Sequence, residues 1–284
     1  MPRHYTITLS CPDRPGIIAA VSSFIAAHGG SIGESASHTE TQSRHFFMRV
    51  EILAQTLPFG LEELRARFVK LADEFNMQWQ IADSAVKKRV VILVSKQEHC
   101  LSDLLYRWRS REFEFDIPCV ISNHDDTRSI VEWHEIPYIH VPIVPENKLA
   151  AHQEILRLCE RHQADAIVLA RYMQVLPDFF CVAYPSRVIN IHHGLLPAFV
   201  GARPYHQAFE RGVKQIGATC HYVTQELDAG PIIEQDVIRV DHTETVEDLI
   251  RLGKDVEKTV LSRGVRYHVE DRVLVHGSRT MVFR

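Results

Sequence analysis

Three polar side chains in one stretch of this sequence could act together on a carbonyl group. Asn190 and His192 stand two apart in the run Asn190-Ile191-His192, and Asp228 precedes Gly230-Pro231 further along. If the first run is extended, residues two apart face the same way. A carboxylate beside an imidazole can move a proton from water, help typically worth about 10²–10⁴-fold. An amide N–H aimed at a developing oxyanion is typically worth about 2.7–4 kcal/mol. Together they suit attack of water on an acyl carbon with no covalent intermediate. His192, His193 and His206 match no standard zinc spacing, so no metal is expected.

The elements that must position these groups follow from the hydrophobic pattern. Val90–Val94 is a continuous apolar run, as expected of a strand covered on both faces. Similar runs at 118–122, 138–141, 166–170 and 188–191 alternate with helical patterns at 101–108 and 146–163. Such alternation implies a mostly parallel α/β sheet, in which ligands bind beyond the carboxyl ends of the strands. Asn190, His192 and the residues just after Ala170 fall at such ends. A helix over 204–211, strands over 217–224 and 232–240, a helix over 244–263 and two short strands complete this part.

Residues 1–84 have a different pattern. Strands are expected at 4–10, 31–39, 45–54 and 77–83. Ile17, Val21, Phe24 and Ile25 mark one helix, and Leu61, Leu64, Phe68 and Leu71 another. The order βαββαβ argues a ferredoxin-like sandwich. Asp13 is expected to cap the first helix, Pro15 to suit its first turn and Gly29-Gly30 to end it. Residues 84–89 are expected to be a connector, with Lys87-Lys88-Arg89 solvated.

The 284 residues carry a net charge of −4, with no basic footprint for nucleic acid. No run approaches the roughly 20 apolar residues of a membrane span, and the first residues lack a signal-peptide core. Six scattered cysteines form no C-x-x-C pair. These features fit a reducing cytoplasm.

Asp13-Arg14-Pro15-Gly16-Ile17 entering the first helix, with Gly29-Gly30 leaving it, makes residues 1–84 resemble an ACT domain. The resemblance implies an amino-acid effector, methionine or glycine, and domain pairing into a homo-oligomer. Asp13, Gly16 and Ile17 are the effector-binding candidates, because free backbone N–H groups lie at a helix N-terminus.

Residues 85–284 resemble the folate-dependent formyltransferase family. The resemblance rests on Asn190-Ile191-His192, Leu195-Leu196-Pro197, the run Gly217–Val223, and Asp228-Ala229-Gly230-Pro231-Ile232-Ile233. It implies a Rossmann-like catalytic domain with Asn190, His192 and Asp228 as the catalytic trio. It implies a folate pocket built from Arg171, Tyr172, Met173, Val175 and Leu176, with Gly201 and Val223. No cofactor is implied beyond the folate substrate. Gly194 departs from the family, which commonly has Ser there.

Three features imply the branch of the family that uses water, releasing formate and tetrahydrofolate from 10-formyltetrahydrofolate in one-carbon and purine metabolism. The first domain looks like ACT, and Gly201–Ala208 looks like the hydrolytic version. The loop Ser95–Cys100 contains no glycine, whereas glycinamide ribonucleotide transformylase has a glycine-rich phosphate loop there. Methionyl-tRNA formyltransferase would carry a further C-terminal domain and a basic surface. The rival readings are a formyltransferase with another acceptor and a non-catalytic folate or amino-acid sensor.

Overall fold

The computed structural model describes residues 2–199, 201 and 203–284, so Ala202 of the Gly201–Ala208 string lies outside them. The chain forms two compact units. The first takes the residues up to Lys87 together with 270–276 and 281–284, and the second takes 88–269 and 277–280.

The first unit runs β1 (His4–Pro12), α1 (Ile17–Ala27), β2 (Ile32–Glu40), β3 (His45–Leu53), α2 (Leu61–Phe75) and β4 (Gln78–Asp83). Its antiparallel sheet has the order β2-β3-β1-β4. Ile17, Val21 and Ile25 of α1 and Leu64 and Phe68 of α2 pack into the same core as Ile7 and Leu9 of β1. Burying a side chain such as Phe68 is worth about 1.5–3 kcal/mol.

The turn before α1 differs from expectation. Asp13 does not cap the helix, and Pro15 precedes it. Gly16 is the N-cap, at φ 96 with no side-chain bond, and the Asp13 N–H donates instead to the Arg44 carbonyl at 2.8 Å. Glycine reaches this left-handed conformation without steric cost, so the backbone makes the turn unaided. At the other end Gly29, at φ 78, follows the helix as expected.

The C-terminal residues grouped with this unit hold a buried arginine. Arg49 on β3 is 2% exposed. It pairs with Glu34 and Glu51 and donates to the carbonyls of Glu270 and Asp271. The sequence pattern places all of 85–284 in the second domain, whereas 270–276 and 281–284 group with the first unit. The partners of Arg49 were not legible because they come from opposite ends of the chain.

The second unit runs β5 (Lys88–Val94), α3 (His99–Arg109), β6 (Phe115–Asp116), β7 (Val120–Ser122), α4 (Arg128–Trp133), β8 (Tyr138–His140) and α5 (Lys148–Arg161). It continues with β9 (Ala166–Ala170), α6 (Asp178–Ala183), β10 (Val188–His192), α7 (Pro204–Glu210), β11 (Gln215–Tyr222), β12 (Ile232–Arg239) and α8 (Val246–Val269). A short ribbon, β13 (Val273–His276) with β14 (Arg279–Val282), ends the chain.

The sheet order is β12-β11-β10-β9-β5-β7-β8, with β6 paired to β5. The strands from β10 through β8 are parallel, and β11 is antiparallel to its neighbours. Chain order reverses between β5 and β9, so the crevice beyond their carboxyl ends is the topological switch point. Lys88 and Arg89 are not solvated linker residues. They open β5, where the Arg89 N–H donates to Asp165 and its guanidinium to the His162 carbonyl. Among the described residues no helix is long and apolar enough to cross a membrane.

Candidate active site

The crevice at the switch point is a cavity of about 520 Å³. Three loops leave the strand ends there and are tied together. Ser95, after β5, donates its hydroxyl to Asn123 Oδ1 at 2.7 Å and accepts the Met173 N–H at 3.0 Å. The loops after β5, β7 and β9 are thus held by one serine.

Asn190 and His192 lie on one face of β10 and both line the cavity. Antiparallel pairing places His221 of β11 directly opposite Asn190 and Thr219 opposite His192. Thr219 pins the loop after β10, donating to the Gly194 carbonyl and accepting the Leu196 N–H. His192 Nε2 faces the Phe199 carbonyl at 3.1 Å, which leaves Nδ1 toward Asp228 Oδ2 at 3.3 Å. Asp228 holds a left-handed conformation, φ 54, in the turn that precedes Gly230. Aspartate tolerates this conformation better than most residues. His192 is 4% exposed and the Asp228 side chain 8%. The three expected groups therefore line one cavity, and the His192–Asp228 pair is nearly buried, where charge interactions are stronger than in water.

His221 was not singled out in the sequence. Its Nδ1 donates to the Tyr222 carbonyl at 2.9 Å, so Nε2 is free to accept the Asn190 amide at 3.2 Å. Burial pushes its pKa down, against the pull of the Tyr222 carbonyl and Asp228, and the ring is neutral. The signal for it was the register between β10 and β11.

Arg171, Tyr172, Met173, Val175, Leu176, Gly201 and Val223 all line the cavity, joined by Leu227. Met173 and Val175 are each 56% exposed, an apolar rim suited to a flat ring. Arg171 does not point at this rim. Its guanidinium turns inward to Gln97 Oε1 and to Glu257 on α8. Glu257 was also missed, because on α8 it reads as one of many helix carboxylates. A side chain at Gly194 would come within 3.0 Å of His192 Nε2, so glycine leaves that edge of the imidazole to the Phe199 carbonyl.

Among the described residues, His99, Cys100 and Glu257 are close enough to hold a metal ion. Their chemistry argues for hydrogen bonding instead. Burial pushes the Cys100 thiol far above its ordinary range, and Glu257 already accepts from His99 and Tyr205. Gly29-Gly30-Ser31-Ile32-Gly33 has the spacing of a serine nucleophile elbow. It leaves α1 and enters β2, the reverse of the strand–turn–helix order that exposes a catalytic serine.

Comparison with known proteins agrees with both units. The Formyl transferase family matches residues 88–265 and the ACT domain family residues 5–68. A formyltetrahydrofolate deformylase from Synechocystis sp. is 48% identical over 278 residues, 98% of each chain. The crystal structure of a formyltetrahydrofolate deformylase from Pseudomonas syringae pv. tomato superposes with a TM-score of 0.99 at 59% identity, covering 100% of this chain and 95% of that one. A glycinamide ribonucleotide transformylase from Symbiobacterium toebii superposes with a TM-score of 0.66 at 29% identity, covering 70% of this chain and 95% of that one.

Proposed function

The chain belongs to the formyltetrahydrofolate deformylase family, and we propose that Asn190, His192 and Asp228 carry its reaction, the hydrolysis of 10-formyltetrahydrofolate to tetrahydrofolate and formate. The observation that supports these roles is the 3.3 Å approach of His192 Nδ1 to Asp228 in the cavity that Asn190 also lines.

The folate ring lies along the Met173–Leu176 segment and Val223, with its formyl group toward β10. Water attacks the formyl carbon. Its proton passes to Asp228, directly or through His192 Nδ1. The Asn190 amide donates to the oxyanion, a role helped by His221 accepting one of its two N–H groups. The bond to the folate nitrogen then breaks, and that nitrogen leaves with a proton. Formate and tetrahydrofolate account for every atom of substrate and water, with no cofactor in the balance.

The first unit, built mainly from residues 1–84, is read as the regulatory domain, and the second, within 85–284, as the catalytic one. An amino acid such as methionine or glycine binds at the turn formed by Asp13, Gly16 and Ile17. Gly16 supports this, because as the N-cap it leaves the first N–H groups of α1 without a capping side chain. The unit also pairs the chain into a homo-oligomer. The enzyme works in the cytoplasm, on the one-carbon supply of purine synthesis. Five of its six free cysteines are buried, which suits a reducing compartment. An assay with 10-formyltetrahydrofolate and no added acceptor tests the central assignment.

A further inference from the structure

Next to the trio the cavity holds a second group of charges that the hydrolytic steps leave unused. Glu257 on α8 is 1% exposed. Its Oε1 accepts the Tyr205 hydroxyl at 2.6 Å, and its Oε2 accepts from His99 Nε2 at 2.8 Å. The Arg171 Nε sits 3.3 Å from that same oxygen and also donates to Gln97. Residues from α3, α7 and the loop after β9 therefore converge on one carboxylate of α8, and Gln97 of the β5–α3 loop holds the arginine.

The arrangement is demanding to build. Arg171 holds φ 62, a conformation few side chains adopt, and is 7% exposed. Gly253 is required beside it, because a Cβ there would overlap the Tyr205 hydroxyl. Burial alone would raise the Glu257 pKa, but His99, Arg171 and Tyr205 outweigh it and keep the group ionised. The cluster reaches the reaction centre through His193, whose ring lies 5.8 Å from that of Tyr205 and 5.5 Å from that of His192.

A buried carboxylate facing a reactive formyl group would draw in ammonium groups and take protons from amines. Amines are better nucleophiles than water, and an amine so held would capture the formyl group. Here both carboxylate oxygens are filled by protein donors and the charge is matched by a guanidinium. We propose that the Glu257–Arg171–His99–Tyr205 cluster is the wall that restricts the nucleophile to water, and so sets hydrolysis over transfer. The inference rests on the hydrolytic reading above. With the wall opened, an amine nitrogen bonds the formyl carbon and the bond to the folate nitrogen breaks. The amine proton passes to that nitrogen, giving a formamide and tetrahydrofolate with no redox change.

The test uses full-length protein, 10-formyltetrahydrofolate and aminoacetonitrile, a small primary amine that is largely unprotonated at neutral pH. Formate and N-formylaminoacetonitrile are measured for wild type, Arg171→Gly and His99→Ala. Glycine suits the left-handed backbone at 171, and His99→Ala, at the start of α3, is the second variant should Arg171→Gly not fold. Wild type is expected to give formate alone, and each folded variant to raise the ratio of formylated amine to formate at least about tenfold. Formylation of the amine by wild type at the variants' ratio overturns the inference. So do folded variants that still release formate alone. Absence of formate from wild type instead overturns the hydrolytic reading, which separates the two failures.

Discussion

Asn190 and His221 face each other across β10 and β11, with 3.2 Å between Asn190 Nδ2 and His221 Nε2. Because His221 Nδ1 is committed to the Tyr222 carbonyl, the contact orients the amide without removing its second N–H. His221→Phe should therefore misorient the oxyanion donor rather than delete it. The hydrogen bond is worth roughly 0.5–1.5 kcal/mol, so kcat should fall roughly two- to tenfold with KM little changed. Asn190→Ala removes the donor and should cost about 10²–10³-fold in kcat. Steady-state kinetics of both variants check the order. Equal losses would place His221 in direct contact with the reacting atoms.

Gly253 leaves room for Tyr205 on the way to Glu257. Gly253→Ala should force the phenol off its carboxylate and destabilise the protein by about 1–3 kcal/mol, the usual range for overpacking. The urea midpoint of the variant measures it.

Acid should loosen the second unit before it strips the carboxylates. Burial holds His193 and His268 at about 3, helped by the positive charge of Arg171 in the first case and of Lys88 and Arg187 in the second. The unfolded chain takes up these protons near the ordinary value of 6.5, whereas the folded chain does not. The stability they protect is present above that value and is lost as pH falls from it toward 3. The slope is at most about 1.4 kcal/mol per pH unit for each group. Urea unfolding at about pH 7.5 and about pH 5 should show the loss, and His268→Gln should reduce it.

If the turn at Gly16 receives an amino acid, calorimetric titration with methionine and with glycine should give heat for one of them. Gly16→Val should abolish that heat while leaving basal formate release intact. A left-handed φ disfavours a β-branched residue, so the variant should also lose about 1–2 kcal/mol of stability.

Much of this was legible in the sequence. The buried strands read as apolar runs, and Asn190 and His192 sit where one such run ends. The short helices at 128–133 and 178–183 were not read, since six residues carry less than two turns of periodicity. His221 and Glu257 were missed for a different reason. Their meaning comes from partners that are distant in sequence: Asn190 across a strand pair, and Arg171, His99 and Tyr205 around a helix. The Asp13 cap failed because a glycine backbone already made the turn.

The pairing of His192 with Asp228 is the centre of the account, and formate release by Asp228→Asn tests it most directly. With 10-formyltetrahydrofolate and no acceptor, wild type should release formate and tetrahydrofolate in equal amounts. The variant keeps the side chain's shape but loses the base, so formate release should fall about 10²–10⁴-fold while folate still binds. Near-normal turnover by Asp228→Asn would contradict the assignment.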